Sequence, residues 1–318
     1  MNNIISEIQK SNNIVLLCHN NPDGDAVGST IAMYHILKKL GKEVDMVIDG
    51  VPSKFNFIEG YDDIKTSSDK NYDVAMILDT ASIERINNPN NIVDNIPRKI
   101  VIDHHGSNTH HGDINFVDNK PACCEIIYNI AVNLDIEIDE KIATALCAGL
   151  LTDTGGLSHP DVQPSTYGVA ASLSKIVNIP SVHKKVLGTI TKGQFELNKI
   201  GIKNLEFHKN NQISFTYITE EDLTNLNLQK SDADIIANLG RNINGIEVAI
   251  YIRKYKDENR VSLRSNNNID VNEVAKVFGC GGHKNAAGIS STMDFNELKE
   301  KLICEVGKKI DEWNFSNK

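Results

Sequence analysis

Several things are scarce in this 318-residue chain, and each scarcity removes a class of protein. No apolar run approaches the roughly 20 residues that cross a bilayer, so no transmembrane segment is expected. The N-terminal stretch MNNIISEIQKSNN is polar and has no apolar h-region, which gives no sign of a secretory leader. Basic residues are in deficit: 33 Lys and Arg face 42 Asp and Glu, for a net charge of −9. A long duplex held on a broad basic face is therefore not expected. A short or mononucleotide substrate stays open, because metal ions supply positive charge locally. The six cysteines (Cys18, Cys123, Cys124, Cys147, Cys280 and Cys304) show neither C-x-x-C spacing nor the density of a disulfide framework. They read as reduced thiols in a cytoplasmic protein. The neighbours Cys123 and Cys124 read as small, semi-buried residues rather than a redox pair. There is no internal repeat and no low-complexity tract.

What remains is an ordinary globular composition, 40% hydrophobic, at a length that suggests two domains. In the first half, short apolar runs alternate with helical patterns. NIVLLC (13–18), EVDMVI (43–48), DVAMIL (73–78) and KIVI (99–102) read as strands, the first as one buried on both faces. Between them AVGSTIAMYHILKKLG places Val27, Ile31, Tyr34 and Leu37 on one helical face, and 139–151 and 165–177 read as helices. The alternation predicts an α/β fold with a doubly wound, mainly parallel sheet. The second half has strand-like runs at 212–218, 247–253 and 260–264 and helical patterns near 232–241, 271–278 and 295–312, which predicts a smaller α/β domain. The expected organisation is a first domain over 1–183, a connector over 184–199 and a second domain over 200–318, with a cleft between the domains.

The charged residues fall at particular places. After IVLLC come His19, Asp23 and Asp25; after VAMIL comes Asp79; after KIVI come Asp103, His104 and His105. Ligands of an open parallel sheet bind outside the carboxyl ends of its strands, so three strands deliver acid and imidazole to one edge. Asp153 adds a fourth source, leaving a helix into the turn TDTGG. A single Asp after a strand is ordinarily a cap or turn former. Five carboxylates in one small cleft cannot all stay ionised without cations, and divalent metals meet that need directly. Mixed His and carboxylate ligands suit Mn²⁺, with Mg²⁺, Co²⁺ or Fe²⁺ also fitting, and their number suffices for two ions with one carboxylate bridging. The remaining histidines (His35, His110, His111, His159, His183 and His208) lack such company and read as surface or packing residues.

These segments carry a resemblance. HNNPDGDAVGS, LDT (78–80), DHH (103–105) and TDTGG (152–156) resemble the four motifs of the DHH phosphoesterase family, and GCGGHKNAAG (279–288) resembles the glycine-rich signature of its DHH-associated C-terminal domain. In length and domain content the chain is most similar to the NrnA-type members, which degrade very short RNA and dephosphorylate 3′-phosphoadenosine 5′-phosphate (pAp). The resemblance implies that His19, Asp23 and Asp79 hold one Mn²⁺ and that Asp25, Asp79, His104 and Asp153 hold the other. It implies that Asp103 orients a histidine ligand and that His105 contacts the scissile phosphate as an acid toward the leaving oxygen. Substrate selection is expected from the second domain. There Gly281 and Gly282 offer backbone N–H groups to a phosphate, His283 contacts phosphate or base, and Arg264 pairs with a phosphate beside Ser265. Cysteines in PACCEIIYN and at Cys280 depart slightly from the family pattern. The implied activity is hydrolysis of short oligoribonucleotides to mononucleotides and of pAp to AMP. A phosphodiesterase for linear pApA or cyclic di-AMP would use the same residues, and a non-catalytic nucleotide sensor is the reading from another class. A family II pyrophosphatase is disfavoured by the glycine-rich C-terminal signature. A homodimer is compatible with all of these.

Overall fold

The protein is described from a computed structural model. The structure describes residues 1–86, 91–266 and 269–316, and of Ser231, His283 and Ser316 the backbone alone. The chain divides into two compact units, Met1–Thr189 and Ile190–Lys318.

Unit 1 runs α1 (Asn2–Lys10), β1 (Asn13–Leu17), α2 (Gly24–Lys39), β2 (Glu43–Val47), β3 (Ile64–Lys65), β4 (Val74–Leu78), β5 (Lys99–Asp103), β6 (Ile114–Val117), α3 (Cys123–Asn133), α4 (Glu140–Asp153), α5 (Pro164–Leu173) and α6 (Ile179–Val186). Its six strands form one sheet in the order β3-β2-β1-β4-β5-β6, every neighbouring pair parallel. Parallel strands covered on both faces must be apolar throughout, which is why these segments read as runs rather than alternations. On one face Ile14, Leu16, Met76, Leu78, Ile100 and Ile102 join a large core with Val27, Ile31, Ile127 and Leu146 of the helices. On the other, Val15, Leu17, Ala75, Ile77 and Val101 are covered by Ile86, Ile92, Val93 and Ile96 from the connection between β4 and β5. This second covering layer is built of short turns. The chain order reverses between β1 and β4, and that switch point opens a crevice beyond their carboxyl ends.

Several elements escaped the sequence reading, three of them in unit 1 beside the sheet and its core. Helix α1 has no cap signal beyond Met1, β6 is only half-buried, and α3 begins in the cysteine pair. Cys123 and Cys124 are fully buried rather than semi-buried, and burial raises both thiols well above their ordinary range.

Unit 2 runs α7 (Lys192–Lys203), β7 (Glu206–His208), β8 (Ile213–Thr219), α8 (Glu220–Asn225), a 3₁₀ segment (Lys230–Asn238), β9 (Val248–Lys254), β10 (Asn259–Ser265), α9 (Val271–Val277), β11 (Gly281–His283), β12 (Ala286–Ser291) and α10 (Phe295–Ser316). The sheet order is β11-β12-β10-β9-β8-β7, with β8 and β9 parallel and the other pairs antiparallel. One face carries Phe215, Ile250, Ile252, Val261, Leu263 and Ile289 against Leu298, Leu302, Val306 and Ile310, a four-residue spacing that keeps one stripe of α10 on the sheet. The other face is mixed, with Tyr251 and Ile218 packed against Leu197 and Ile236 and with Arg264 on the same side.

Away from the crevice, β2 carries one charge into the sheet. Asp45 accepts hydrogen bonds from Lys65 Nζ and Tyr72 Oη, both at 2.7 Å, and Lys70 Nζ lies 2.9 Å away. Burial pushes its carboxyl up, but these three partners outweigh burial and hold it down at about 2. A depressed carboxyl stabilises the fold above its unfolded value, near 4, and the contribution is lost as pH falls through about 2. Asp45→Asn is therefore expected to lower stability at pH 7 by about 1 kcal/mol, because both lysines stay partly exposed. In urea titrations the gap between wild type and variant should close between about pH 4 and pH 2. A gap that persists at pH 2 would show that the charge is not what the site contributes.

Candidate metal centre

Each acidic or imidazole residue of the crevice is delivered by a strand or helix end with a local reason for its position. Leaving β1, His19 bridges to Ile86, and Asn20 N–H donates to Arg85 O at 2.6 Å, so the strand exit is anchored. Asp23 is the N-cap of α2: its Oδ1 accepts from the backbone N–H of Asp25 and Ala26 at 3.0 and 3.1 Å. Capping uses one oxygen and leaves Oδ2 facing His19 Nε2 at 3.8 Å. The cap and ligand readings of Asp23 are thus compatible. Asp79 follows β4 directly and turns the chain in the left-handed conformation, φ +50°, which Asp tolerates better than most residues. Asp103 ends β5 and is fully buried, with His104 and His105 beyond it.

Asp25 and Asp153 come from two helices that touch backbone to backbone. A Cβ on Gly28 would stand 2.5 Å from Ala145 O, and one on Gly149 would stand 2.9 Å from Asp25 Oδ1 and on top of Cys124 Sγ. Gly24 faces Thr152 in the same way. Glycines four apart on α2, and Ala145 with Gly149 on α4, let the helices close until Asp25 and Asp153 share one cavity edge. Asp25 is fixed further by α3, whose Cys123 and Cys124 N–H groups donate to its two oxygens, the second at 2.9 Å. Cysteine at these positions matters through its backbone.

The side chains converge on Asp79. Its Oδ2 lies 3.8 Å from His19 Nε2; its Oδ1 lies 3.3 Å from His104 Nε2 and 3.6 Å from His105 Nδ1. His104 Nε2 is also 3.4 Å from Asp153 Oδ2. Among the described residues, three sets of donor atoms gather within 4.8 Å of one another: His19, Asp23 and Asp79; Asp25, His104 and Asp153; and Asp79, Asp103, His104 and His105. Asp79 Oδ1 is buried without a hydrogen-bond partner, an arrangement that costs free energy unless a cation completes it. The imidazoles are tautomerically prepared. His19 Nδ1 contacts Asn20 O at 2.8 Å and His104 Nδ1 contacts Lys120 O at 2.9 Å. A carbonyl only accepts, so Nδ1 carries the proton and the neutral ring turns its Nε2 lone pair into the cluster.

The electrostatics agree. Burial pushes Asp79 up, but His104, His105 and His19 outweigh it and bring the carboxyl down to about 2. Burial disfavours charge on His104, yet Asp79, Asp25 and Asp153 hold its imidazolium up to about 11. Burial and then Asp79 push Asp25 up to about 7, and burial and then Asp25 raise Asp153 well above the carboxylate range. These opposed directions mark carboxylates crowded closely enough to compete for protons, a charge that divalent cations would offset. The donor set, the orphaned oxygen and the tautomers all fit two divalent ions.

Some expectations change. Asp103 bonds His105, Oδ1 to Nδ1 at 2.7 Å, and the ring that faces the cluster, His104, is oriented instead by the Lys120 carbonyl. A backbone carbonyl leaves no signature in residue type, so the sequence could not name Asn20 or Lys120. Burial pushes Asp103 up, but His105 and Asn108 hydrogen bonds outweigh it and lower its pKa. His159, read as packing, places Nδ1 3.0 Å from the Asp153 carbonyl, beside the centre.

In unit 2 the structure separates the residues that the sequence grouped. Arg264 is half-buried on the face of β10 that also carries Ser262, and its Nη1 donates to Leu263 O at 3.0 Å. Burial, with Arg241 and Arg253 nearby, lowers its pKa, while Asp234 opposes. Ser265 is one residue on and therefore on the opposite face, 1% exposed and bonded to Asn285, so it does not stand beside Arg264 for a ligand. Gly281 and Gly282 form an edge strand rather than a turn, and Gly282 N–H is taken by Asn272 Oδ1 at 2.9 Å. A Cβ at Gly282 would stand 2.5 Å from Ala286 O, so glycine there serves the pairing with β12. The side chain of His283 lies outside the described residues.

Comparison with known proteins gives two family matches, the DHH family, N-terminal domain, over residues 13–150 and the DHHA1 domain over residues 210–312. The chain is 28% identical over 316 residues to the bifunctional oligoribonuclease and PAP phosphatase NrnA of Thermus thermophilus, covering 96% of this chain and 94% of that one. It is 25% identical to the protein of the same name from Bacillus subtilis, covering 90% and 92%. Among solved structures, an exopolyphosphatase-related protein from Bacteroides fragilis shares the fold with a TM-score of 0.89 at 23% identity, covering 96% of this chain and 95% of that one. RecJ of Thermus thermophilus in complex with Mn²⁺ shares it at 0.53 and 14% identity, over 96% of this chain and 54% of that one.

The glycine contact gives a direct test of how the centre is built. Gly149→Ala forces its new methyl against Asp25 and Cys124 and should cost about 2–3 kcal/mol. It should also weaken Mn²⁺ binding, read as a smaller rise in melting temperature on adding the metal. Gly168→Ala, on α5 with open space around it, should be neutral or stabilising by up to about 1 kcal/mol. Equal behaviour of the two variants would contradict the close crossing.

Proposed function

We propose, for a chain that belongs to the DHH family and carries a DHHA1 domain, a two-metal phosphoesterase that hydrolyses short oligoribonucleotides to mononucleotides and dephosphorylates pAp to AMP. The observation that carries this reading is the buried Asp79 carboxylate, set between two groups of donor atoms with one oxygen lacking any hydrogen bond. Relatives over nearly the whole chain that are named for both activities support it. His19, Asp23 and Asp79 would hold one ion and Asp25, Asp79, His104 and Asp153 the other, with Mn²⁺ the ion that imidazole and carboxylate together suit best. Two such ions would supply a hydroxide near neutral pH and would neutralise charge on the phosphoryl oxygens.

The protein's own residues do the rest. Asp79 fixes the spacing of the two groups because each of its oxygens faces one of them. Asp103 holds His105 by Nδ1, and His105 gives the leaving oxygen its proton. In unit 2, Arg264 is a half-buried guanidinium suited to pair with a phosphate of the substrate, and His283 and Gly281 lie on the edge strand of the same sheet. The acidic net charge disfavours long duplexes and agrees with small substrates. Among the described residues no helix is long and apolar enough to cross a membrane. We place the activity in the cytoplasm.

The test is product analysis with Mn²⁺ and four substrates: pAp, pApA, a five-nucleotide RNA and cyclic di-AMP. AMP from pAp and mononucleotides from the RNA are expected, with both lost by at least 10³-fold in Asp79→Ala. Turnover confined to pApA or cyclic di-AMP would move the function to clearance of nucleotide signals. Binding of Mn²⁺ with no turnover of any of the four would overturn the enzymatic reading.

A further inference from the structure

The loop that follows the two histidines of the centre is tied down by one side chain. Asn108 Nδ2 donates to Asp103 Oδ2 at 2.6 Å and to Thr80 O at 3.0 Å, and Asn108 Oδ1 accepts from His110 N–H at 2.7 Å. The orientation of this amide follows from the chemistry of its partners. A carboxylate and a carbonyl can only accept, and a backbone N–H can only donate. Three of the amide's four hydrogen-bonding capacities are therefore spoken for, across two strand exits. Asp103 ends β5, and Thr80 is the residue after Asp79 beyond β4. The same loop is pinned a second time by Thr109 N–H on Ala81 O at 2.9 Å.

We infer that Asn108 is a positioning residue: its amide locks the Asp103 carboxylate that orients His105 and holds that carboxylate at a fixed distance from the backbone that carries Asp79. Asp103 is fully buried, so the oxygen not bonded to His105 has no water to turn to. With Asn108 in place the carboxylate cannot rotate about its bond to Cβ, and the His105 ring inherits that constraint through the 2.7 Å bond. No other side chain makes the same contacts. Aspartate has the shape but no donors, and would set a second carboxylate against Asp103. Alanine leaves both Asp103 Oδ2 and Thr80 O without their donor. The inference rests on the reading that His105 acts on the leaving oxygen, and it assigns to Asn108 no contact with substrate or metal.

The test compares wild type with Asn108→Ala and Asn108→Asp in three measurements. Steady-state hydrolysis of pAp should show kcat lowered about 10–100-fold with KM within about twofold of wild type. Calorimetric titration with Mn²⁺ alone should show unchanged stoichiometry and an affinity within about threefold, because Asn108 contacts none of the side chains assigned above to the two ions. In nuclear magnetic resonance of the Mg²⁺-loaded protein, the Nδ1 proton of His105, assigned by its disappearance in His105→Ala, should be protected from exchange in wild type and unprotected in both variants. Unchanged kcat and an unchanged proton in either folded variant would overturn the inference. So would a loss of kcat that merely follows lost metal binding or lost fold. If wild type turns over no phosphoester, the functional reading fails, and the His105 proton still decides whether Asn108 holds the pair.

Discussion

A carboxylate that water cannot reach sets the terms for unit 1. Asp79 follows a wholly buried strand, is 2% exposed, has a left-handed backbone, and has one oxygen with no well-formed hydrogen bond, only the charge of His104 at 3.3 Å. Burying such a charge is costly, and only opposite charge at close range offsets the cost. The His104 imidazolium supplies part of it, and the rings of His19 and His104 are turned by backbone carbonyls so that Nε2 faces inward. The remaining carboxylates, Asp25 and Asp153, then find themselves beside a buried anion and are driven toward their protonated forms. Divalent cations would offset the charge that such a cluster gathers.

The fold serves that requirement by geometry. Strand order reverses between β1 and β4, so His19 and Asp79 emerge at the two lips of one crevice, with the β5 exit next to them. Helices bring the other two acids, and they do so by giving up side chains. Gly24 and Gly28 on α2 meet Ala145, Gly149 and Thr152 on α4 at a separation that no larger residue allows. The helix dipole and first N–H groups of α3 then hold Asp25 in place. Stability and chemistry are coupled here, because a helix crossing with no room for a Cβ at Gly24, Gly28 or Gly149 lies directly behind the acids.

Much of this was legible in the chain. Continuous apolar runs marked the parallel strands, since strands covered on both faces cannot alternate, and acids at their ends marked the edge where ligands bind. The structure brings His19, Asp23, Asp25, Asp79, His104 and Asp153 to the one edge that these segments marked. What was not legible has physical reasons. Backbone groups orient His19, His104 and Asp25, and a carbonyl or N–H is the same whichever residue bears it. Helix α3 opens on Cys123 and Cys124, neither of which is a capping residue, so its start gave no signal. In unit 2 the grouping of Arg264 with Ser265 overlooked the two-residue period of a strand, which sends adjacent side chains to opposite faces. Gly282 read as a phosphate cradle, whereas its missing Cβ makes room for the neighbouring strand and its N–H is bonded to Asn272.

The central claim is that Asp79 joins two metal ions. Anomalous diffraction at the manganese edge, from crystals of the full chain soaked in Mn²⁺, tests it most directly. The account predicts two peaks in each chain, about 3.5–4 Å apart. One should lie against His19 and Asp23, the other against Asp25, His104 and Asp153, and both should be within coordination distance of Asp79. A single peak, or two peaks of which one does not touch Asp79, would contradict it.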